Sequence, residues 1–462
     1  MDQPSAPVGG VGGAGLHPAS PDQTGPLLRS RRFLPLFFTQ FLGAFNDNLY
    51  KTAMVLFVVY AIYNSESAEG TFSALASGLF ILPFFLLSAI AGQLADNGDK
   101  ARIIRRVKLL EIVLMIIGAA GLYLAWRGIA VNTIAIPLML LALFLTGVQS
   151  AFFGPIKYAI LPQHLRKDEV LAGTGWVEAG TYIAILAGTI IAGFIPVEWA
   201  AGAIIVVAVA GYFTGRQVPP APAQQTPEPI DLHFIRASID LVRKTMHDRR
   251  VFLAIIAISF FWTIGAVLFI HFPPLVKNVI TGTKEVASLF LVIFSVGVAI
   301  GSVSVNALLK GTVSARYSPV SVIAMGLFVV LFYLLAMNWT PLPDDRLLSI
   351  PQFFSRPLAI PMMLSLLGIA VAGGMFVVPL YAFLTTFVPQ TQTARTIAAN
   401  NIVNSGAMVG GSLLVSLMTG LGVPITQQLL ISAAMCLVSS YLGKLLLEAE
   451  RQAEQPVGAN AD

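Results

Sequence analysis

The stretch "FTQFLGAFNDNLYKTAMVLFVVY", residues 38–60, begins and ends as an apolar run, yet its middle carries Asn46, Asp47, Asn48 and Lys51. A charged side chain at the centre of a membrane helix costs roughly 2.5–3.5 kcal/mol on insertion scales. That cost is tolerable where the charge has a partner or borders a water-filled path. On a helix, residues at i, i+4, i+7 and i+11 share one face, and here that face is Gln40, Ala44, Asp47 and Lys51. The polar atoms therefore form a stripe, which suits a helix beside a cavity. The alternative is an Asp47–Lys51 ion pair that neutralises itself and touches no ligand. Asn46 and Asn48 flank the stripe and read as helix-contact residues.

The whole chain supports the membrane reading. Its 462 residues are 56% hydrophobic and only 11% charged, with a mean hydropathy of +0.79. A soluble protein of this length could not hide so much apolar surface, so an all-α integral membrane protein is expected. The single cysteine, Cys436, excludes an intramolecular disulfide framework and a cysteine-built metal site. There is no nucleophile–base constellation, phosphate-cradling glycine loop or metal-ligand cluster, so neither an enzyme nor a cofactor or metal is expected. The net charge of +5 does not point to nucleic acid, because the cations sit between apolar runs. Residues 1–32, rich in Gly, Pro, Ala and Ser before a basic RSRR, read as a disordered cytoplasmic tail and not a signal peptide.

Runs of about 20 apolar residues, enough to cross a bilayer, recur near 33–63, 72–95, 103–126, 131–153, 169–195 and 197–215. They resume near 251–276, 285–309, 318–339, 357–388, 396–421 and 424–447. This predicts twelve transmembrane helices in two six-helix bundles, 33–215 and 251–447. A cytoplasmic linker, 216–250, joins them, and a cytoplasmic tail, 448–462, follows. Lysine and arginine concentrate in alternate loops: Arg29, Arg31, Arg32; Lys100, Arg102, Arg105, Arg106, Lys108; Arg166, Lys167; Arg216 and the linker; Lys310, Arg316; Arg395; Lys444 and Arg451. The intervening loops hold only Arg127, Lys277, Lys284, Arg346 and Arg356. The positive-inside rule puts both termini in the cytoplasm.

Other spans carry polar residues too. In the fifth, Gly180, Ala184, Gly188 and Ala192 recur every fourth residue, a ladder that lets helices pack tightly. Glu178 and Tyr182 lie on the opposite, polar face and are cavity candidates, unless Glu178 is a protonated, structurally bonded acid. In the eleventh, Asn400 and Asn404 are one turn apart and read equally as lipid head-group ligands or as helix glue. Glu111, early in the third span, either snorkels to the basic cytoplasmic surface or, the favoured reading, plays a structural role. His271, before Pro273-Pro274, reads as a bonded helix-end residue.

The loop "GQLADNGDKARIIRR", residues 92–106, resembles the signature of the major facilitator superfamily, with Gly92, Asp96, Lys100 and Arg102 in matching places and the second glycine shifted. The resemblance implies a gating role for these four: the glycine for close helix approach, the aspartate as a cap or a partner for a cation. In the second half Asn306 and Lys310 repeat the spacing of Asp96 and Lys100, the weakened echo that an internal repeat leaves. "RRFLPLFFTQFLGAFNDNLYK", "FFGPIKYAILP", "GWVEAGTYIAILAGTIIAG" and "GGMFVVPLYAFLTTFVP" make the likeness more specific. Together they resemble the lysophospholipid transporter branch, including the transporter region fused to an acyltransferase and acyl-carrier-protein synthetase.

This resemblance implies inward flipping of lysophospholipid, chiefly the ethanolamine form, across the bacterial inner membrane for re-acylation. It implies a monomer whose partners are the lysophospholipid, membrane lipids and, since the chain ends at Asp462, a separate acyltransferase. Asp47 and Glu178 match acidic cavity positions of that branch. An arginine expected in span seven is missing from "SFFWTIGAVLFIHFPPLVK", residues 259–277. Lys51 is its substitute, with Asp47 near the ammonium of the head group and Lys51 near the phosphate. Two other readings compete. A proton-coupled drug antiporter is disfavoured because span four lacks an arginine and span five lacks a glycine-proline motif. A membrane scaffold for acyltransferases has no need of intramembrane charges.

Overall fold

The computed structural model describes residues 27–166, 169–223, 229, 233–309, 316–342, 346–387 and 390–454. Seven helices precede the linker: α1 (Leu34–Phe57), α2 (Glu66–Asn97), α3 (Lys100–Trp126), α4 (Ile136–Ala159), the short α5 (Leu161–His164), α6 (Val170–Phe194) and α7 (Val197–Arg216). The linker holds α8 (Phe234–Thr245). Beyond it come α9 (Arg249–Asn278), α10 (Lys284–Leu309), α11 (Ser318–Met337), the short α12 (Ile350–Phe354), α13 (Ala359–Phe387), α14 (Gln390–Gly420) and α15 (Ile425–Glu454). Leaving out the short α5, α12 and the linker helix gives six long helices on each side. Ten of these twelve are apolar enough to cross a membrane. α1 is not among them, because Asn46, Asp47, Asn48 and Lys51 dilute its hydropathy, and α6 qualifies only as the shorter apolar stretch Ala179–Phe194.

Local chemistry sets the helix ends. Ser65 accepts from the Ala68 N–H at 3.2 Å to start α2, and Asp99 accepts from the Ala101 N–H at 3.0 Å to start α3. Asp248 does the same for α9 through the Arg250 N–H at 2.8 Å, each satisfying a donor that has no partner inside its helix. Pro196, extended at φ −61° and ψ 151°, separates α6 from α7. Pro273 and Pro274 lie inside α9, which runs on to Asn278.

The two halves repeat one packing scheme. α1 packs on α6 and α7, α2 on α4, and α3 on α4 and α7. In the second half α9 packs on α14 and α15, α10 on α13, and α11 on α13 and α15. The halves meet through α2 against α14 and α6 against α10. Exchanging the halves turns one of these contacts into the other, as a twofold axis between parallel repeats requires. Outer faces carry bare apolar side chains: on α3, Leu109, Leu110, Val113 and Ile116 are exposed. An exposed apolar face of this kind is the pattern of a lipid-facing surface.

The ladder on α6 packs against α1. A Cβ at Gly188 would come 2.5 Å from the Phe45 carbonyl oxygen, and Ala184 and Ala192 are buried. The start of the linker is docked: the Lys100 N–H donates to the Ala221 carbonyl at 2.9 Å, and Arg105 donates to the Val218 carbonyl at 3.1 Å. The end of the molecule holding this dock is called here the linker end, and the opposite end the distal end. Of the tail expected to be disordered, 1–32, residues 1–26 lie outside the described residues and Leu27–Arg29 form a 3-10 helical turn. The tail expected from 448 begins as helix, since α15 runs to Glu454, and the echo at Lys310 lies outside the described residues.

Candidate functional site

Asp47 and Lys51 do not pair. Asp47 is buried, and its Oδ2 takes a hydrogen bond from Ser150 of α4 at 2.5 Å. The Lys51 ammonium stands over the Phe80 ring of α2, 5.2 Å from its centroid, and none of the ion pairs among the described residues includes it. The self-neutralising pair suggested by the i,i+4 spacing is therefore absent, because each side chain has turned to a different neighbouring helix.

Behind Asp47 lies a buried polar network. Glu111 of α3 takes Lys108 at 2.6 Å and Gln149 at 3.3 Å on Oε2, and Asn46 at 3.2 Å on Oε1. Asn46 also donates to the Ile204 carbonyl of α7 at 3.1 Å. The Lys108 and Glu111 side chains are 0% and 1% exposed. This corrects one expectation and decides another. Lys108 is not a loop cation, and Glu111 takes the structural role instead of reaching the surface, because three residues along one helix face bring them together inside the half. A Cβ at Gly43 would lie 2.6 Å from the Lys108 ammonium, so the glycine makes room for the charge. Asn46 is the helix-contact residue expected, and Asn48, which bonds back to the Ala44 carbonyl at 2.8 Å, lies against Gly188 of α6.

Gln40 is also buried and accepts from Thr181 of α6 at 2.8 Å. Glu178 and Tyr182 belong to α6, and their side chains lie outside the described residues. In the second half, Asn400 and Asn404 of α14 join a neutral cluster. Ser259 donates to Asn404 Oδ1 at 2.6 Å, and Trp262 donates through Nε1 to the Tyr381 hydroxyl at 2.8 Å. The amides of Asn400 and Asn404 lie 3.5 and 3.4 Å from the same hydroxyl. His271 is bonded to Gln428 at 2.9 Å, beside a cavity of about 160 Å³ between α9, α14 and α15.

At the distal end the two halves are latched. Lys277 of α9 donates to Glu69 of α2 at 2.6 Å and to the carbonyls of Val59 and Tyr63 at 2.6 and 2.5 Å. Asn278 donates to the other Glu69 oxygen. The Ile425 N–H donates to Glu66 at 2.7 Å, and Lys284 donates to the Ile195 carbonyl at 2.9 Å. The Glu69 side chain is fully buried. A cation with one carboxylate and two carbonyls around it is close to saturated.

A family model, the Major Facilitator Superfamily, matches residues 36–412. The chain belongs to that superfamily. The lysophospholipid transporter LplT of Photorhabdus laumondii is 26% identical over 413 residues, 87% of this chain and 91% of its own. That of Serratia proteamaculans is 27% identical over 400 residues, 84% of this chain and 86% of its own. Among solved structures, a D-xylose-proton symporter aligns with a TM-score of 0.65 at 12% identity, covering 89% of this chain and 96% of the other. A bacterial homologue of the human lysosomal transporter Spinster, inward-facing and unoccupied, aligns at 0.64 and 12% identity, covering 96% and 100%. The chain is thus a multi-pass membrane protein with the superfamily's all-α architecture of twelve helices in two bundles.

The superfamily signature lies at the linker end. A Cβ at Gly92 would meet nothing within 4 Å, so no close helix contact is made at this glycine in this conformation. The Asp96 side chain lies outside the described residues. Lys100 is buried and Arg102 exposed at the start of α3. The aspartate that caps α3 is Asp99, which also accepts from the Ala221 N–H at 3.2 Å. Burial works against its charge, but the backbone N–H groups of Ala221, Arg102 and Ala101 outweigh that and hold the carboxyl below its ordinary range. Sequence reading also missed Glu69, Gln149 and Ser150, whose partners lie on other helices and leave no local signal.

Proposed function

We propose that this protein flips lysophospholipids across the bacterial inner membrane by alternating access, delivering them to the cytoplasmic leaflet for re-acylation by a separate acyltransferase. The observation that carries the reading is Lys51. It is a half-buried ammonium midway along a membrane helix, and no described carboxylate pairs with it. A phosphate in the path between the halves supplies the missing partner as a charge-assisted hydrogen bond. Likeness to lysophospholipid transporters over most of both chains supports a phosphate-bearing lipid as the cargo. The neutral cluster around Asn400, Asn404 and Tyr381, together with Gln40, Glu178 and Tyr182, provides the candidate polar contacts for the rest of the head group.

The cations of the linker end, including Arg102, Arg105, Arg106 and Arg166, assign that end and both termini to the cytoplasm. The distal latch then closes the outer face. Lys100 and Arg102 are gating candidates at the cytoplasmic end, whereas the latch residues Glu69 and Lys277 gate the outer end. The transporter acts as a monomer.

The test is flipping of a fluorescent lysophosphatidylethanolamine in proteoliposomes. Wild type flips; Lys51→Met slows flipping about tenfold or more, as loss of a hydrogen-bonded charge implies, and Lys51→Arg retains most of the rate. A wild type that moves cationic dyes but no lysolipid would replace this reading with a drug transporter. A wild type that moves neither would leave the scaffold reading.

A further inference from the structure

The linker helix α8 is packed on one side and bare on another. Ser238 is buried and Leu241 half-buried where α8 packs on α2 of the first half and on α14 of the second. Ile235 and Ile239, one turn apart, are 60% and 57% exposed. Val242 continues their stripe at the i+7 position. Beside the stripe stand the exposed Arg236, Asp240 and Arg243, with Lys244 next along the chain. No ion pair among the described residues includes any of these four. Three cations against one acid leave the helix positive.

The place of α8 in the fold limits what can reach the bare face. Only Met246, His247 and Asp248 separate it from α9, which begins at Arg249 and is apolar enough to cross a membrane. The start of the linker is held on α3. α8 therefore lies at the depth where spans begin, the head-group layer. Its 12 residues extend about 18 Å, too short to cross a bilayer. A strongly amphipathic helix with cations beside its apolar face rests in that layer, apolar side toward the acyl chains. Arginine and lysine stems bury along the boundary while their charged heads reach phosphate.

We propose that α8 is a membrane-surface helix that binds anionic lipid. Ile235, Ile239 and Val242 enter the boundary of one leaflet, and Arg236, Arg243 and Lys244 hold anionic head groups beside them. Each such cation strengthens attachment to an anionic surface about fivefold. That the leaflet is the cytoplasmic one rests on the assignment of the linker end above; the binding itself does not. The position of α8 gives the contact its reach. Thr419 of α14 lies against Gly70 of α2, Ser412 against Gly78, and Phe85 of α2 against Gly406, a seam between the halves that starts at the distal end. α8 touches the same two helices, and its place before α9 puts it at the linker end of that seam. A helix held by the lipid surface thus lies across both halves.

The full chain in lipid nanodiscs tests this without any cargo, so the outcome is independent of the transport reading. A bimane dye is attached at Ile239→Cys or at its neighbour Asp240→Cys; the native Cys436 is buried. In discs of phosphatidylcholine and phosphatidylglycerol carrying nitroxide-labelled lipid, quenching at 239 should be about threefold that at 240, because only the first faces the acyl chains. Replacing phosphatidylglycerol by phosphatidylcholine should reduce quenching at 239 by about half or more. Arg236→Gln/Arg243→Gln should remove that difference between the two lipid mixtures. Should this variant fold poorly, about 1 M salt, which screens charges beyond about 3 Å, serves in its place. Equal quenching at 239 and 240, or quenching at 239 indifferent to phosphatidylglycerol, would overturn the proposal. A label at 239 untouched by the lipid quencher but shielded as protein concentration rises would overturn it in favour of a protein contact.

Discussion

The Lys108 ammonium lies 2.6 Å from Glu111 Oε2, with both side chains sealed from water inside the first half. Such a pair contributes little net stability compared with apolar residues of the same shape, but breaking one side leaves a bare buried charge. Glu111→Gln alone is therefore expected to cost about 3–5 kcal/mol. Lys108→Met/Glu111→Gln should recover most of that loss, since no charge remains. Thermal unfolding in detergent of the two single variants and the double measures it; a double variant no better than the worse single would contradict the pairing.

The latch makes a prediction about shape. Removing Lys277 strands the buried Glu69 carboxylate and releases two carbonyls, so Lys277→Ala should weaken the closed distal end by about 3 kcal/mol. Spin labels at Ile129 and Leu421, both exposed at the distal end, report the change. Wild type should give one short distance, and Lys277→Ala should add a longer one. Identical distributions would show that the latch does not hold the end shut.

Two glycines should respond oppositely. The site of a Cβ at Gly188 is occupied by the Phe45 carbonyl, whereas Gly92 faces open space. Gly188→Ala should lower the unfolding temperature and the yield, because α1 and α6 must separate, at a cost of about 1–3 kcal/mol for overpacking. Gly92→Ala should leave both unchanged. A reversed result would mean that the signature glycine is a packing residue after all.

Asp99 gives a pH dependence at the linker end. Its folded carboxyl sits below the ordinary range, so its contribution is fully present above the ordinary carboxylate pKa of about 3.9 and fades as pH falls through the lower folded value. Asp99→Ala should cost about 1 kcal/mol, the usual worth of a helix cap. It should also speed hydrogen exchange at the Ala221 N–H, which Asp99 accepts. Unchanged exchange would detach the linker from this cap.

The helices were legible because hydropathy is summed over whole turns and survives any single exception. The polar site was legible only in part. Asp47 and Lys51 stand out in any reading of α1, but their partners depend on where Ser150 and Phe80 fall on other helices. Lys108 follows a run of loop cations and looks like one more of them. Only its spacing of three from Glu111 hints at a pair. Glu69 and Lys277 are 208 residues apart, and no local pattern can join them.

The polar middle of α1 has a consequence for how the chain is made. By composition α1 is not among the helices apolar enough to cross a membrane unaided, and Asn46 finds its acceptor on Glu111, 65 residues downstream. At ordinary synthesis speeds that acceptor follows about 3–13 seconds later. During that interval the first segment has to be sheltered by the insertion machinery, and it is released into lipid as part of a pair. A nascent chain stopped before α3 should therefore remain extractable from the membrane, and one stopped after it should not.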